Sequence, residues 1–222
     1  VGPGHGVQLA SGRLVVPAYA YPVRGRLCGA VPLPCPARPR ALVFYSDDGG
    51  RGWQKGALVA GGPTGECQVA EISIGGRAPL LYCSARAPGG CRAVTFSADG
   101  GLRFQPSGRC QALGEPPRGC QGSLVSFGAG GEAPRWLLYS HPSHRRCRRD
   151  LGIYLNPSPP DGAGWRRLWV LQSGPAGYSD LAVVCPGGHF GCLFECGATS
   201  SCEEIAFCLF SLSSSQQQPE EP

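Results

Sequence analysis

Short apolar runs alternate with turns rich in glycine, proline and polar residues along almost the whole chain. The runs are short, and they contain many β-branched and aromatic residues, which is typical of β-strands. No segment shows a sustained helical period. The pattern therefore predicts about twelve strands and no helix of any length. The predicted strands cover residues 14–16, 41–45, 68–74, 80–84, 93–96, 124–127, 136–139, 151–155, 168–171, 181–184, 192–194 and 205–212.

One short signature, S-x-D-x-G-x-x-aromatic, occurs twice, each time directly after a predicted strand. The copies start 97 − 46 = 51 residues apart, which suits one four-stranded propeller blade of roughly 40 to 50 residues. Serine and aspartate oxygens accept backbone hydrogen bonds, glycine permits a positive φ, and the aromatic side chain is expected to pack between blades. The signature is thus a structural turn. Its positions are Ser46, Asp48, Gly50 and Trp53, then Ser97, Asp99, Gly101 and Phe104.

Composition agrees with an all-β protein that has many turns. Glycine (35) and proline (22) make up about a quarter of the 222 residues, while 42% of the residues are apolar. About twelve strands correspond to three or four blades, so we predict a partial β-propeller over residues 1–212. The remaining residues, 213–222, are rich in Ser, Gln and Glu and are predicted to form a disordered polar tail.

The thirteen cysteines favour reduced thiols over a disulfide framework. They have no regular spacing, the first residues do not resemble a secretory signal, and several cysteines lie inside predicted strands as small apolar residues would. A cytosol-facing protein is therefore expected. No Cys-x-x-Cys occurs and the histidines form no ligand cluster, so neither a metal nor another cofactor is predicted. The histidines are His5, His141, His144 and His189.

The net charge of +5 is unevenly distributed. Residues 145–149 contain four arginines, and Arg166 and Arg167 follow a little later. A solvated loop is the simplest interpretation of this run. An anionic membrane surface and a bound carboxylate are the alternatives, because arginine presents a rigid bidentate fork. Nucleic acid is not a predicted partner, since aromatic residues do not alternate with the basic run and no binding motif occurs.

Eight segments resemble, in the same order, the vertebrate cytosolic and membrane-associated sialidases, which also carry this signature, called the Asp box. Four further motifs are most similar to the plasma-membrane, ganglioside-preferring members: Leu33-Pro-Cys35, Leu81-Tyr-Cys-Ser-Ala-Arg86, Glu115-Pro-Pro117 and Leu193-Phe-Glu-Cys-Gly197. The eight segments are Gly2-Pro-Gly-His-Gly-Val-Gln-Leu9, Val16-Pro-Ala-Tyr-Ala-Tyr21, Glu66-Cys-Gln-Val-Ala-Glu71, Ser84-Ala-Arg86, Gly119-Cys-Gln-Gly-Ser123, Trp136-Leu-Leu-Tyr-Ser-His-Pro142, Asp150-Leu-Gly-Ile-Tyr-Leu-Asn156 and Gly177-Tyr-Ser-Asp-Leu181.

The resemblance implies a six-bladed sialidase propeller and an exo-α-sialidase. Such an enzyme is a retaining glycosidase that removes terminal sialic acid from gangliosides and glycoproteins. Peripheral association with the plasma membrane, a cytoplasmic pool and endomembranes such as the lysosome are the locations it implies. No spanning segment of about 18 apolar residues occurs in the sequence, so any membrane contact is expected to be peripheral.

The resemblance also assigns catalytic roles. Sialic acid carries a carboxylate on its anomeric carbon, so a neutral tyrosine nucleophile avoids the like-charge repulsion that an Asp or Glu would meet. Tyr178 would be this nucleophile and Glu66 its base. Arg86 and Arg148 would hold the substrate carboxylate. Because Arg149 adjoins Arg148, and adjacent strand residues face opposite sides, either of the two could be the clamp residue.

Three further residues are expected to line the sugar pocket. Tyr19 and Tyr21 lie two positions apart, hence on one strand face, and Gln121 is a weaker candidate of the same kind.

Two parts of the sialidase pattern are missing from this sequence. The first clamp arginine and the acid/base aspartate would both lie upstream of Val1, so the chain is expected to be the C-terminal part of a longer protein. General acid catalysis contributes typically about 10²- to 10⁴-fold, so the chain alone is expected to be inactive. Two alternatives remain, namely an inactive propeller that binds sialic acid and an Asp-box interaction scaffold.

Overall fold

The computed structural model describes residues 1–22, 37–128, 132–160, 164–185 and 188–212, which contain fourteen strands and no helix. The predicted tail, 213–222, lies outside these residues. The strands are β1 Val7–Gln8, β2 Leu14–Ala20, β3 Arg40–Ser46, β4 Gln54–Lys55, β5 Cys67–Ile72, β6 Leu80–Ala85, β7 Cys91–Ser97, β8 Gly108–Gly114, β9 Ser123–Phe127, β10 Trp136–Pro142, β11 Arg149–Asn156, β12 Arg166–Cys185, β13 His189–Cys196 and β14 Glu204–Ser211.

Antiparallel strands form successive blades in chain order. Strands β1–β4 make blade 1 and β5–β8 make blade 2, while β9–β14 form one continuous six-stranded sheet. Within that sheet β12 changes partner, because its residues up to Pro175 pair with β11 and those from Ala176 pair with β13. The first half of β12 therefore completes blade 3, and its second half begins blade 4. The predicted all-β partial propeller is confirmed.

Three apolar cores lie between the blades, because each inner strand sends alternate side chains to opposite faces. On β6, Leu81 packs toward blade 1, whereas its neighbour Tyr82 packs toward blade 3. On β10, Leu137 faces blade 2 and Leu138 faces blade 4. The inner strands are thus buried on both faces, which explains why their sequences are almost continuously apolar.

The predicted strands match the structure except where a strand is exposed or shared. Eleven of the fourteen strands contain a predicted run. Residues 168–171 and 181–184, predicted as two strands, are parts of the single strand β12. The pattern missed β1, β4 and β8. Strand β4 is fully exposed and β8 is mostly exposed, so neither carries the apolar alternation on which the prediction depends.

Both Asp boxes form the same hydrogen-bonded turn. The Ser46 hydroxyl donates to Asp48 Oδ1 (2.7 Å) and accepts from the Gly50 N–H (2.9 Å). The second copy repeats these bonds at Ser97, Asp99 and Gly101, with distances of 2.7 and 2.8 Å. The bond from the Gly52 N–H, followed by that from Ser46, lowers the pKa of Asp48. The boxes are therefore structural turns, as predicted.

The expected burial of the closing aromatic is correct for one box and wrong for the other. Phe104 packs against the core between blades 1 and 2. Trp53 is 47% exposed, and its indole N–H donates to the carbonyl of Gly50 at 3.0 Å. The two aromatic residues differ in burial because of their positions. Phe104 faces blade 1 across the core that blades 1 and 2 share, whereas Trp53 lies on the outer side of blade 1.

Arg13 connects the two boxes across the blade interface. Its guanidinium forms a bidentate pair with Asp47 in the first box (2.6 and 2.9 Å) and donates to the carbonyls of Asp99 and Gly100 in the second (3.1 and 3.2 Å). It also lies 4.4 Å from the centre of the Tyr45 ring. One side chain therefore fixes two blades at this end of the propeller.

Eleven cysteines lie within the described residues as thiols; seven of them are buried, five of these in the inter-blade cores. This is consistent with the predicted reduced state. Among these residues no helix is long and apolar enough to cross a membrane.

Candidate active site

Antiparallel order brings the predicted site residues to one end of the propeller. In each blade the first strand starts, the second ends and the third starts at the same end. Glu66 immediately precedes β5, the first strand of blade 2, and Arg86 follows its second strand, β6. Tyr178 lies near the start of the blade 4 portion of β12, and Arg148 precedes β11. The Asp boxes follow the third strands and therefore occupy the opposite end.

Tyr178, Glu66 and Arg86 form one hydrogen-bonded group. The Tyr178 hydroxyl donates to Glu66 Oε1 at 2.5 Å, and Arg86 Nη1 donates to Glu66 Oε2 at 2.7 Å. Arg86 Nη1 also lies 3.5 Å from the tyrosine oxygen. Backbone pairing sets this arrangement, because the Arg86 N–H donates to the Glu66 carbonyl at 2.8 Å and extends the β5–β6 ladder by one pair. Residues 112 positions apart thus meet through their strands.

The environment keeps Tyr178 protonated in the resting protein. Burial, the hydrogen bond to Glu66 and the Glu66 charge raise the pKa of Tyr178 to about 12, although Arg86 and Arg148 act in the opposite direction. The phenol therefore donates a proton toward a carboxylate that is ready to accept it. When the carboxylate takes that proton, the two guanidinium groups stabilise the phenolate. This is the electrostatic arrangement that a tyrosine nucleophile requires.

Of the two adjacent arginines, the structure places Arg148 beside the tyrosine. The Arg148 guanidinium carbon lies 5.3 Å from the centre of the Tyr178 ring, and Nη2 donates to the carbonyl of Gly119 at 3.5 Å. The Arg148 carbonyl accepts the N–H of Ala176, two residues before the tyrosine. Arg149 begins β11 and is exposed. This geometry favours Arg148 as the clamp residue.

A cleft of about 570 Å³ adjoins the Tyr178–Glu66 pair. Its lining includes Glu66, Arg86, Tyr19 and Tyr21. The two tyrosine rings meet edge to face with their centres 5.9 Å apart, although only Tyr19 lies on β2 and Tyr21 follows its end. Both are therefore in a position to contact a ligand that reaches Glu66 and Arg86. Their substrate-binding role stays a prediction.

Gln121 is nearly completely buried and already uses both ends of its amide. Nε2 donates to the carbonyl of Ser179 (2.9 Å), and Oε1 accepts the Ser179 N–H (3.0 Å). The amide thus holds the backbone next to Tyr178. A direct contact between Gln121 and the sugar stays a prediction, while the geometry supports a role in placing the nucleophile.

Sequence reasoning missed Glu195, which fixes the tyrosine from the neighbouring strand. Glu195 Oε2 accepts the N–H of Tyr178 at 2.9 Å. A Cβ at Gly177 would meet the end of this carboxylate side chain, so a larger residue there would displace Glu195 from the Tyr178 N–H. The available signals were the glycine directly before Tyr178 and the glutamate in Leu193-Phe-Glu-Cys-Gly197.

The start of the chain is also tied to the site, which the sequence did not indicate. His5 Nδ1 lies 2.6 Å from Asp180 Oδ1, and Ser123 Oγ donates to the same oxygen at 2.9 Å. Gln68 Nε2 donates to the carbonyl of Pro3 at 3.1 Å. The first residues therefore connect blade 1 to blades 2 and 4. Within the described parts of the chain, no group of three or more His, Cys, Asp or Glu side chains is arranged to hold a metal ion.

Comparisons with known proteins agree with this fold. The profile of the BNR repeat-like domain family matches residues 1–192. The chain therefore belongs to this family of Asp-box propellers and, within it, to the sialidases. It is 46% identical to human Sialidase-3 over 95% of its length and 37% identical to human Sialidase-4 over 96%. It spans 56% and 62% of the lengths of these two relatives, respectively.

Solved structures show the same architecture. The Hadza microbial sialidase Hz136 superposes with a TM-score of 0.72 at 27% identity, over 95% of this chain and 37% of that one. The intramolecular trans-sialidase of Ruminococcus gnavus superposes with a TM-score of 0.71 at 22% identity, over 98% of this chain and 45% of that one. The second match concerns the fold alone.

Replacement of Glu66 by glutamine is expected to lower the pKa of Tyr178 from about 12, because the charge and the carboxylate acceptor that raise it are both removed while Arg86 and Arg148 remain. The measurement is a pH titration of the tyrosine Cζ resonances by ¹³C NMR, with Tyr178→Phe used to assign the signal. Tyr45→Phe, at a tyrosine far from the site, is the control. An unchanged or higher pKa would contradict the described pairing.

Arg148→Gln is expected to weaken binding of N-acetylneuraminic acid by about 10- to 100-fold, because a hydrogen-bonded charge contact is worth about 1.5 to 3 kcal/mol. The matched variant Arg149→Gln should change affinity by less than about twofold, since Arg149 is exposed and away from Tyr178. Affinity is measured by NMR titration of the chain. Equal losses in both variants, or a loss only at Arg149, would assign the clamp differently.

Proposed function

We propose that the chain supplies the nucleophile, its base and two carboxylate-binding arginines to an exo-α-sialidase. The observation that carries this proposal is the direct contact between the Tyr178 hydroxyl and the Glu66 carboxylate, with Arg86 on both groups. An interaction scaffold requires no such contact. An inactive binding propeller requires the arginines but not the tyrosine–carboxylate pair, so this contact favours the enzyme.

In the proposed reaction, Arg86 and Arg148 bind the carboxylate of a terminal sialic acid and so present its anomeric carbon to Tyr178. Glu66 takes the phenol proton as the tyrosine oxygen bonds to that carbon and the glycosidic bond breaks. The leaving oxygen takes a proton from a general acid, which the resemblance places outside this chain. Water then attacks the anomeric carbon and gives a proton to the conjugate base of that general acid, while the bond to the tyrosine oxygen breaks and Glu66 returns its proton to the phenolate, so sialic acid leaves with retained configuration.

The proposed substrates are terminal sialosides of gangliosides and glycoproteins. An Asp or Glu nucleophile would approach the substrate carboxylate with its own negative charge, whereas the protonated Tyr178 approaches neutral. The cleft beside the pair, with two tyrosines and several guanidinium groups, is suited to a polar anionic sugar. Ganglioside preference depends on the similarity to human Sialidase-3 and is part of this proposal.

The first experiment compares hydrolysis of a fluorogenic sialoside by the chain alone and by a fusion with the segment of human Sialidase-3 outside the matched region. The fusion should hydrolyse the substrate, and the chain alone should be at least about 10²-fold slower, because general acid catalysis contributes about 10²- to 10⁴-fold. In the fusion, Tyr178→Phe should abolish turnover.

Tyr45→Phe in the same fusion is the matched control, because this tyrosine lies at the Asp-box end of β3, the end opposite the cleft. A fusion that binds sialic acid but does not hydrolyse the sialoside would contradict the enzyme hypothesis and favour the inactive binding propeller. Activity that survives Tyr178→Phe would remove the tyrosine from the mechanism.

We also propose peripheral contact with anionic membranes through the arginine run. Arg145, Arg146 and Arg167 line one exposed cleft of about 360 Å³ with Asp150. Arg145→Gln/Arg146→Gln should reduce co-sedimentation with phosphatidylserine vesicles at low salt several-fold, since each basic residue near such a surface contributes about 1 kcal/mol. Arg51→Gln/Arg103→Gln, in the exposed Asp-box turns, is the matched control. Equal sedimentation of the parent chain and the two double variants would contradict membrane contact and favour a solvated loop.

A further inference from the structure

We propose that a buried ion pair, Arg92–Glu115, is a positioning device for the active site. It fixes residues 115–121, the connection between blades 2 and 3, and this connection in turn aligns Arg86, Arg148 and Tyr178. We call residues 115–121 the bracket. Neither member of the ion pair lines the cleft or contacts Tyr178. The inference depends on the proposed function, because the aligned groups are those assigned there to catalysis.

Arg92 holds both ends of the bracket to blade 2. The side chains of Arg92 and Glu115 are completely buried. Arg92 Nη1 donates to Glu115 Oε1 at 2.6 Å and to the carbonyl of Cys120 at 2.7 Å. On its other side the guanidinium donates to the hydroxyl and the carbonyl of Ser84 on β6, at 3.1 and 3.2 Å. One rigid fork therefore connects the second strand of blade 2 to the beginning and the end of the bracket.

Arg92 is the guanidinium that hydrogen-bonds Glu115, and the charge of Arg86 also acts on this carboxylate. His141 Nε2 lies 4.0 Å from the same carboxylate oxygen. Burial, followed by the charge of Arg92, lowers the pKa of His141 to about 3, so the imidazole is neutral at physiological pH. The guanidinium plane lies 5.5 Å from the centre of the Tyr139 ring on β10, which brings blade 3 into the same contact.

The bracket contacts the site at three successive points. The carbonyl of Arg118 accepts Nε of Arg86 at 2.7 Å. The carbonyl of Gly119 accepts Nη2 of Arg148 at 3.5 Å. Gln121 binds both backbone groups of Ser179, the residue after Tyr178. Each side chain assigned to the substrate carboxylate, and the strand that carries the nucleophile, therefore takes part of its position from the bracket.

The bracket is closely packed around Gly119. Gly119 has φ +68°, and a Cβ there would collide with Glu115 Oε2 and would lie 2.8 Å from Cγ of Arg86. The preceding residue, Arg118, is also left-handed, with φ 69°. A non-glycine residue persists in this region only when its surroundings hold it there. Glu115, Gly119 and Arg86 therefore pack against one another in that order. A shift of Glu115 would displace Arg86 through Gly119.

A charged pair suits this task because it is directional. Apolar side chains of similar volume fill the same space and often preserve folding, but they cannot bind a carboxylate and a backbone carbonyl at fixed angles. The test is therefore the double variant Arg92→Met/Glu115→Leu, which removes both charges and leaves neither unpaired. Ile72→Ala is the matched control, because Ile72 is completely buried in the same inter-blade core but lies at the far end of β5 from Glu66.

In the sialidase fusion, the double variant should fold cooperatively and lose at least about tenfold in kcat, with a smaller change in KM, since misplacing reacting groups by about 1 Å costs up to about 10²-fold. Ile72→Ala should lower thermal stability and leave kcat unchanged. A second measurement needs no substrate and uses the chain without the fusion partner. There the Tyr178 Cζ resonance should shift in the double variant and not in Ile72→Ala.

The double variant overturns the inference if it is folded and keeps both the parental kcat and the parental Tyr178 resonance. If it does not fold, Arg92→Lys takes its place, because an ammonium keeps the charge but cannot reach Glu115, Cys120 and Ser84 together, and the same results are expected. A resonance shift with no activity in any fusion, including the parent, would refute the proposed function and leave the positioning role standing.

Discussion

The site depends on one geometric constraint, which is the antiparallel order of strands within each blade. Because neighbouring strands run in opposite directions, the residue before a first strand and the residue after a second strand always meet at the same end of the propeller. Glu66 and Arg86 satisfy this rule within blade 2, and Tyr178 satisfies it from blade 4. Widely separated segments therefore converge without a long loop. The turns that hold the blades, the Asp boxes, occupy the other end and leave the chemistry undisturbed.

Packing turns this topology into fixed distances. The inner strands of blades 2 and 3 bury both faces, so neither of these blades can rotate without disturbing an apolar core on each side. At the site end, this rigidity is supplemented by polar contacts that cross between blades, from Gln121 to Ser179 and from Arg92 to Glu115 and Cys120. A short contact such as the one between Tyr178 and Glu66 requires such support, because two side chains on separate blades otherwise add their positional errors.

Most of the fold could be predicted from the sequence, whereas most of the site could not. Apolar runs marked the inner strands because those strands are buried on both faces, and the exposed strands β4 and β8 gave no such signal. The Asp-box pattern gave the turns but not the exposure of Trp53, which depends on whether a blade lies outside it. Glu66 and Tyr178 are 112 residues apart, and only the resemblance to sialidases connected them. Arg92, inside an apolar strand, carried no sign that its partner would come from a later connection.

The shared strand β12 has an evolutionary consequence. Other blade connections include loop residues, which tolerate changes in length, but blades 3 and 4 are joined within one strand of twenty residues, whose pairing contains several register shifts. Inserting or deleting one residue before Tyr178 would turn the side chains that follow to the opposite face unless a further bulge absorbed the change, and Tyr178 would point away from Glu66. Among related chains, insertions and deletions should therefore accumulate in the other connections, while the number of residues between Arg166 and Tyr178 stays constant even where their identities drift.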